Sequence, residues 1–143
     1  MDGTSHGLEF DRQGACKVII TPEKFDAVLF DLDGVLTMTM KIHATCWKRM
    51  FDAYLQDRSE RLGEEFRSFD IAADYKPYVD GRLRYDGVRA FLASRDVVLK
   101  DGKPEDDPTL ETVCGLGNRK DRMVAEMIAT EGVEVIEGSL KVA

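Results

Sequence analysis

Two kinds of apolar spacing succeed one another along this chain. From Ala27 to Phe30 the residues are continuously apolar and Leu32 prolongs the run, which predicts a strand covered on both faces in a parallel sheet. After Gly34 the spacing becomes helical. Ile42, Cys46, Met50 and Ala53 form one stripe, broadened by Trp47, Phe51, Tyr54 and Leu55, so a helix with a wide buried face is predicted. A charged interval, DRSERLGEEFRSFD, follows. Beyond it the pattern predicts a short helix around Ala72 to Val79, a turn at Asp80 and Gly81, and a helix capped by Asp86 with Val88, Phe91 and Leu92 on one face. Residues 100–115 hold two prolines and many charges and read as a surface loop. Asn118 then offers an N-cap, with Asp121 three residues on. Met123, Val124, Met127 and Ile128 form the apolar face of that helix, and Gly132 stops it.

Residues 1–17 show no usable periodicity and read as a tail. The pattern therefore yields one strong strand among several helices. A lone parallel strand has unpaired N–H and C=O groups along both edges, which burial makes costly. Its neighbours are expected either in Lys17 to Thr21 and Val133 to Ile136, or in a part of the fold that this chain does not contain.

Composition narrows the function. The 143 residues, 43% of them hydrophobic, can build one ordinary core. A net charge of -7 argues against a nucleic-acid partner or an anionic membrane surface, so an anionic ligand must be held by local groups. Cys16, Cys46 and Cys114 contain no CxxC and predict neither a disulfide framework nor a zinc cluster; a cytoplasmic location fits. The first residues lack the apolar core of a signal peptide, and no run approaches the roughly 18 apolar residues of a membrane span.

The chemistry is expected at the strand's carboxyl end, where ligands sit in open α/β sheets. On an extended strand Asp31 and Asp33 point to the same side and Leu32 to the other. Two converging carboxylates repel unless a cation lies between them, which suggests a hard divalent ion such as Mg2+ with Asp31 and Asp33 as metal ligands. Gly34 allows a sharp turn close to a ligand. A division of labour is available, with Asp31 as nucleophile towards phosphorus and Asp33 as the acid that protonates the departing oxygen. Thr37 and Thr39 add neutral donors. The plainer reading is a strand-end Asp-Gly turn. An EF-hand loop is disfavoured, because its next oxygen-ligand position is occupied by Val35. CGLGNRK lacks the third glycine and preceding strand of a dinucleotide loop.

FDAVLFDLDGVLT resembles the first motif of the haloacid dehalogenase (HAD) superfamily of phosphatases and phosphomutases. Thr39, His43 and Trp47 in TMTMKIHATCWKRMF are similar to the start of the helical cap in its β-phosphoglucomutase-like branch, and YVDGRLRYDGV resembles that branch's cap specificity loop at Gly81 and Arg84. The resemblance implies an α/β fold: the first strand of a HAD Rossmann-like core plus an inserted α-helical cap, with the core incomplete in this chain. It implies an aspartyl-phosphate formed on Asp31, general acid/base action by Asp33, and Mg2+ as cofactor, bound by the Asp31 carboxylate and the Asp33 backbone carbonyl. Gly34, Thr39, His43, Trp47, Gly81 and Arg84 would meet the substrate. Met38 and Asp80 depart from the family pattern, which commonly has Asp at the first position and a basic residue at the second.

The expected organisation is a tail and edge segment at 1–24, the first core strand and catalytic loop at 25–36, the cap with its hinges at 37–137, and a return towards the missing core at 138–143. The expected function is a phosphatase acting on a small phosphorylated metabolite, a sugar phosphate. The alternatives are a phosphomutase, a non-catalytic cap serving as a binding or dimerisation module, and, last, a DxD glycosyltransferase. The segment after Ala143 that would bring the family's later Ser/Thr, Lys and acidic pair is absent, so the chain alone is expected to turn over little substrate. Self-association or a missing carboxyl-terminal core segment is the expected macromolecular partner.

Overall fold

The computed structural model describes residues 8–10, 16–18 and 21–140. They fall into two compact units divided between Asp31 and Leu32. In the amino-terminal unit β1 (Leu8–Phe10) pairs antiparallel with β2 (Cys16–Val18), with Leu8 opposite Val18, Glu9 opposite Lys17 and Phe10 opposite Cys16. This hairpin replaces part of the predicted tail. Its apolar–charged–apolar alternation spans only three residues per strand, too short to stand out as a period. The rest of that tail lies outside the described residues.

A turn follows, with the N–H groups of Lys24 and Phe25 donating to the Thr21 carbonyl at 3.0 and 3.1 Å. The strand predicted over Ala27–Leu32 does not form: residues 25–31 carry no ladder among the described residues, and Leu29 is 95% exposed. An apolar run becomes a buried strand only when other strands supply donors, acceptors and cover. No described segment does so here.

The second unit is helical. Its longest element, α1 (Thr39–Leu62), contains neither Gly nor Pro and ends at Gly63. Cys46, Trp47, Met50, Phe51, Tyr54 and Leu55 form its buried face. Ala53, predicted on that face, is exposed. Six residues beyond Trp47, it has turned about 240° around the axis. The connection after α1 is clipped back onto it: Lys48 Nζ donates to the Phe69 carbonyl at 2.7 Å, and the Phe69 N–H donates to Asp52 Oδ1 at 2.7 Å. Phe69 is thereby buried against Phe51 and Phe91, at ring-centroid distances of 5.4 and 4.9 Å.

Asp70 caps α2 (Ile71–Asp74), its Oδ1 accepting from the N–H groups of Ala72 and Ala73. The helix widens into a π turn, Tyr75–Val79, closed by the Asp80 N–H on the Tyr75 carbonyl at 3.0 Å. Pro77 lies in this turn; it has no N–H to donate, and its ring disfavours a regular α continuation. The predicted helix around Ala72 to Val79 is thus present in two geometries.

Next comes α3 (Arg84–Ala93), entered from Leu83 without a side-chain cap. Asp86, predicted as that cap, lies inside the first turn and pairs with Arg89 at 2.7 Å. The last long helix, α4 (Val113–Glu131), starts earlier than predicted: Thr112 is its N-cap, accepting from the Gly115 N–H at 2.9 Å. Val113, Cys114 and Gly115 therefore belong to a buried helix and not to the loop. Asn118 lies within the helix, and its Nδ2 donates to the carbonyls of Pro104 and Asp106, both at 2.9 Å, pinning the preceding loop.

Gly132 ends α4, its N–H donating to Ile128. The chain then returns beside its entry point. Met38 N–H donates to the Glu134 carbonyl and Ile136 N–H to the Leu36 carbonyl, each at 2.9 Å. Val133 to Ile136, expected beside the strand at Ala27–Leu32, pairs instead with residues 36–38. α5 (Glu137–Leu140) follows; residues 141–143 of the predicted return segment lie outside the described residues.

The core joins Trp47, Phe51, Phe69, Phe91, Leu92 and Leu116. Phe51 and Phe91 approach to 4.1 Å between ring centroids. Each such buried side chain contributes about 1.5–3 kcal/mol in transfer free energy. Helices dominate the described residues, consistent with a helical cap portion. No helix among them is long and apolar enough to cross a membrane.

Candidate active site

The site is organised by a tight loop at 32–38. The Leu32 carbonyl accepts from Leu36 N–H at 3.0 Å, Thr37 N–H at 2.9 Å and Thr37 Oγ1 at 3.0 Å. Gly34 donates its N–H to the Thr37 carbonyl at 2.7 Å with φ +76°, a conformation a side chain would strain. The loop presents Asp33 to the start of α1, where Thr39 Oγ1 donates to Asp33 Oδ1 at 2.5 Å.

Successive turns of α1 bring Thr39, His43 and Trp47 to one side of the helix. Opposite them α4 delivers Lys120, only 5% exposed. Its Nζ lies 2.8 Å from His43 Nδ1 and 5.2 Å from the centre of the Trp47 ring. Burial pushes the Lys120 pKa down, opposed by Asp121 and Asp33 among others. Burial also pushes the His43 pKa down; Lys120 adds to this, while Asp33 and Asp121 oppose it. With the Lys120 amine as donor, the ring nitrogen facing it accepts. His43 is therefore assigned as neutral with its proton on Nε2, a donor aimed away from Lys120.

Arg84 opens α3. Its Nη1 pairs with Asp121 Oδ2 at 2.7 Å, its Nη2 donates to Tyr85 Oη at 3.2 Å, and its guanidinium carbon stands 4.9 Å from the Tyr85 ring centre. Tyr85 Oη donates to Asn118 Oδ1 at 2.9 Å, so the α4 residue that pins the loop also fixes this ring. Gly117 allows the approach: a Cβ there would stand 2.7 Å from the Tyr85 ring.

The structure thus brings Asp33, Thr39, His43 and Trp47 together, with Arg84 in electrostatic reach of Lys120. Gly81 sits in an exposed turn at φ +64°, with open space where a Cβ would stand, and the structure does not bring it into this group. Asp31 is exposed and ends the amino-terminal unit, whereas Asp33 lies in the helical unit. Among the described residues no three His, Cys, Asp or Glu side chains gather as a metal cluster. An apolar groove of about 340 Å³, lined by Gly34, Met38, Met40, Ala44, Ile71 and Tyr75, flanks the loop.

Lys120 is not legible from its neighbours in sequence when α4 is placed from Asn118. With the true start, Leu116, Lys120 and Val124 fall at i, i+4 and i+8, and a lysine interrupting a buried stripe is the missing signal.

No family model matches the chain. The β-phosphoglucomutase of Mycobacterium bovis (strain ATCC BAA-935 / AF2122/97) is 54% identical over 123 residues, covering 86% of this chain and 47% of that protein. The β-phosphoglucomutase of Mycobacterium tuberculosis (strain CDC 1551 / Oshkosh) matches with the same figures. An uncharacterized glycosyl hydrolase of the latter strain is 35% identical over 105 residues, covering 73% of this chain and 8% of that protein. The chain spans about half the length of the two β-phosphoglucomutases it matches. This homology supports the HAD-like superfamily read from the first motif and the β-phosphoglucomutase-related branch read from the cap segments.

Proposed function

We propose that this chain supplies the first core strand, catalytic loop and helical cap of a HAD-type sugar phosphomutase related to β-phosphoglucomutase. The observation that carries the reading is the 54% identity to enzymes of that name over 123 residues. The convergence of Asp33, Thr39, His43 and Lys120 supports it.

In this reading Asp31 attacks phosphorus and carries the phosphoryl group, and Asp33 gives its proton to the departing oxygen and later takes one from the attacking hydroxyl. Thr39 holds the Asp33 carboxylate through Oδ1, fixing its direction for that transfer. Lys120 holds His43 in the tautomer whose Nε2–H can donate to a sugar hydroxyl. Arg84 offers a planar pair of donors to a phosphate. Gly34 and Gly81 keep backbone accessible, and Trp47 supplies a wall.

The oxygen donors at Asp31 and Asp33 suit Mg2+, which binds through one or two carboxylates and retains waters. Bound there, the ion would neutralise charge on the phosphoryl oxygens. Hydrolysis is the second reading, favoured by the exposure of Asp31 and Asp33. The proposed setting is a reducing cytoplasm, in keeping with the free thiols of Cys46 and Cys114. The exposed Val28 and Leu29 support association with further strands, from a carboxyl-terminal core segment or a second copy.

The test is a ³¹P assay of the gene product carrying these residues, with a β-glucose phosphate and Mg2+. Phosphate moving between sugar positions, and lost in Asp31→Asn, is the expected result. Release of inorganic phosphate instead would establish hydrolysis, and no conversion by folded protein would leave the non-catalytic module.

A further inference from the structure

Asp121 is the acidic side chain the function does not use, and it faces the basic groups that the function does. Its Oδ2 lies 2.7 Å from Arg84 Nη1, and it also acts electrostatically on Lys120 and His43. Its side chain is 60% exposed, so it can turn into water at little cost. Arg84 does not depend on it for placement, because Tyr85 holds the guanidinium by its hydroxyl at 3.2 Å and by its ring face at 4.9 Å. Tyr85 is in turn fixed by Asn118 at 2.9 Å.

Resting on the reading that Arg84 meets the substrate's phosphate, we propose that Asp121 is a built-in anion that occupies Arg84 until a substrate phosphate displaces it, so that phosphate is held at Arg84 less tightly than the guanidinium alone would hold it. The physical basis is competition. An exposed carboxylate–guanidinium pair is worth at most about 1 kcal/mol. A dianion with three acceptor oxygens gains more from Arg84 than a carboxylate does, and it can displace one.

The test titrates inorganic phosphate, and separately acetate, into wild type, Asp121→Asn and Arg84→Gln at low ionic strength. Binding is followed through the Arg84 Nε–H and Lys120 NMR signals, with thermal melts to confirm equal folding. Asp121→Asn is expected to bind phosphate about three- to fivefold more tightly, the gain shrinking as salt screens it. Acetate is expected to gain by no larger a factor, because removing a shared competitor raises the affinity of every anion for Arg84 alike. If Asp121 were only a strut for Arg84, the same substitution would weaken phosphate binding; weaker or unchanged binding overturns the proposal. If instead wild type and Asp121→Asn both fail to bind phosphate, or Arg84→Gln binds it as wild type does, the reading of Arg84 as a phosphate contact falls, and the proposal with it.

Discussion

At the scale of single residues, the buried amine of Lys120 is the unusual feature, because a lysine on an apolar stripe loses its hydration. Its partner is the ring of His43, which cannot also be charged without placing two cations 2.8 Å apart. Burial is the larger cause holding the His43 pKa below its ordinary 6.5, and Lys120 the next. The unfolded chain therefore binds more protons at this site than the folded one does between the folded pKa and about 6.5. Stability conferred by the neutral ring is complete above that window and is lost as pH falls through it. His43 is expected to titrate below 6.5 by NMR in wild type and to move upward in Lys120→Met. An unchanged His43 titration in that variant would show that the amine does not govern the ring.

Between elements, the contact that sets the site is the close approach of α3 and α4 at Gly117. Replacing a glycine inside a helix by alanine ordinarily stabilises it by about 1 kcal/mol. Here the added Cβ would stand 2.7 Å from Tyr85 Cδ1 and 3.1 Å from Arg84 Cγ. Overpacking outweighs propensity, so Gly117→Ala is expected to destabilise by about 1–3 kcal/mol in a denaturant titration and to loosen Arg84. A variant as stable as wild type would mean that the helices can separate freely. The element scale also shows what local pattern conveys and what it does not. The face of α1 through Cys46, Met50 and Phe51 was readable because a 24-residue helix repeats its period many times. The start of α4 was misplaced at Asn118 because Asn, Thr and Asp can all cap, and the choice among them depends on what the preceding loop can reach. Thr112 prevails because its hydroxyl both caps Gly115 and donates to Asp106 at 2.6 Å, while the Asn118 amide is taken by the loop carbonyls.

For the molecule as a whole, the decisive contrast is between the helical unit, which buries its own apolar face, and residues 25–31, which do not. Helical hydrogen bonds close within a segment and can be read from it; a strand's close onto another segment, so the sequence of 25–31 records the capacity for a ladder without the ladder. The same limit applied to the site: Thr39, His43 and Trp47 share a helix and were legible together, whereas Lys120 comes from a distant one. Leu29 makes this measurable. At 95% exposure, Leu29→Asp is expected to change the unfolding free energy of these 143 residues by no more than about 0.5 kcal/mol. Phe51→Ala, in the fully buried aromatic cluster, is expected to cost about 3–5 kcal/mol. If the proposed core strand is real, the same Leu29→Asp change in a protein that supplies neighbouring strands would bury a carboxylate and cost several times more than in this chain. Denaturant titrations in both settings decide it: a small effect in both would remove Ala27–Phe30 from any sheet, and a large effect in this chain alone would mean that Leu29 is already covered.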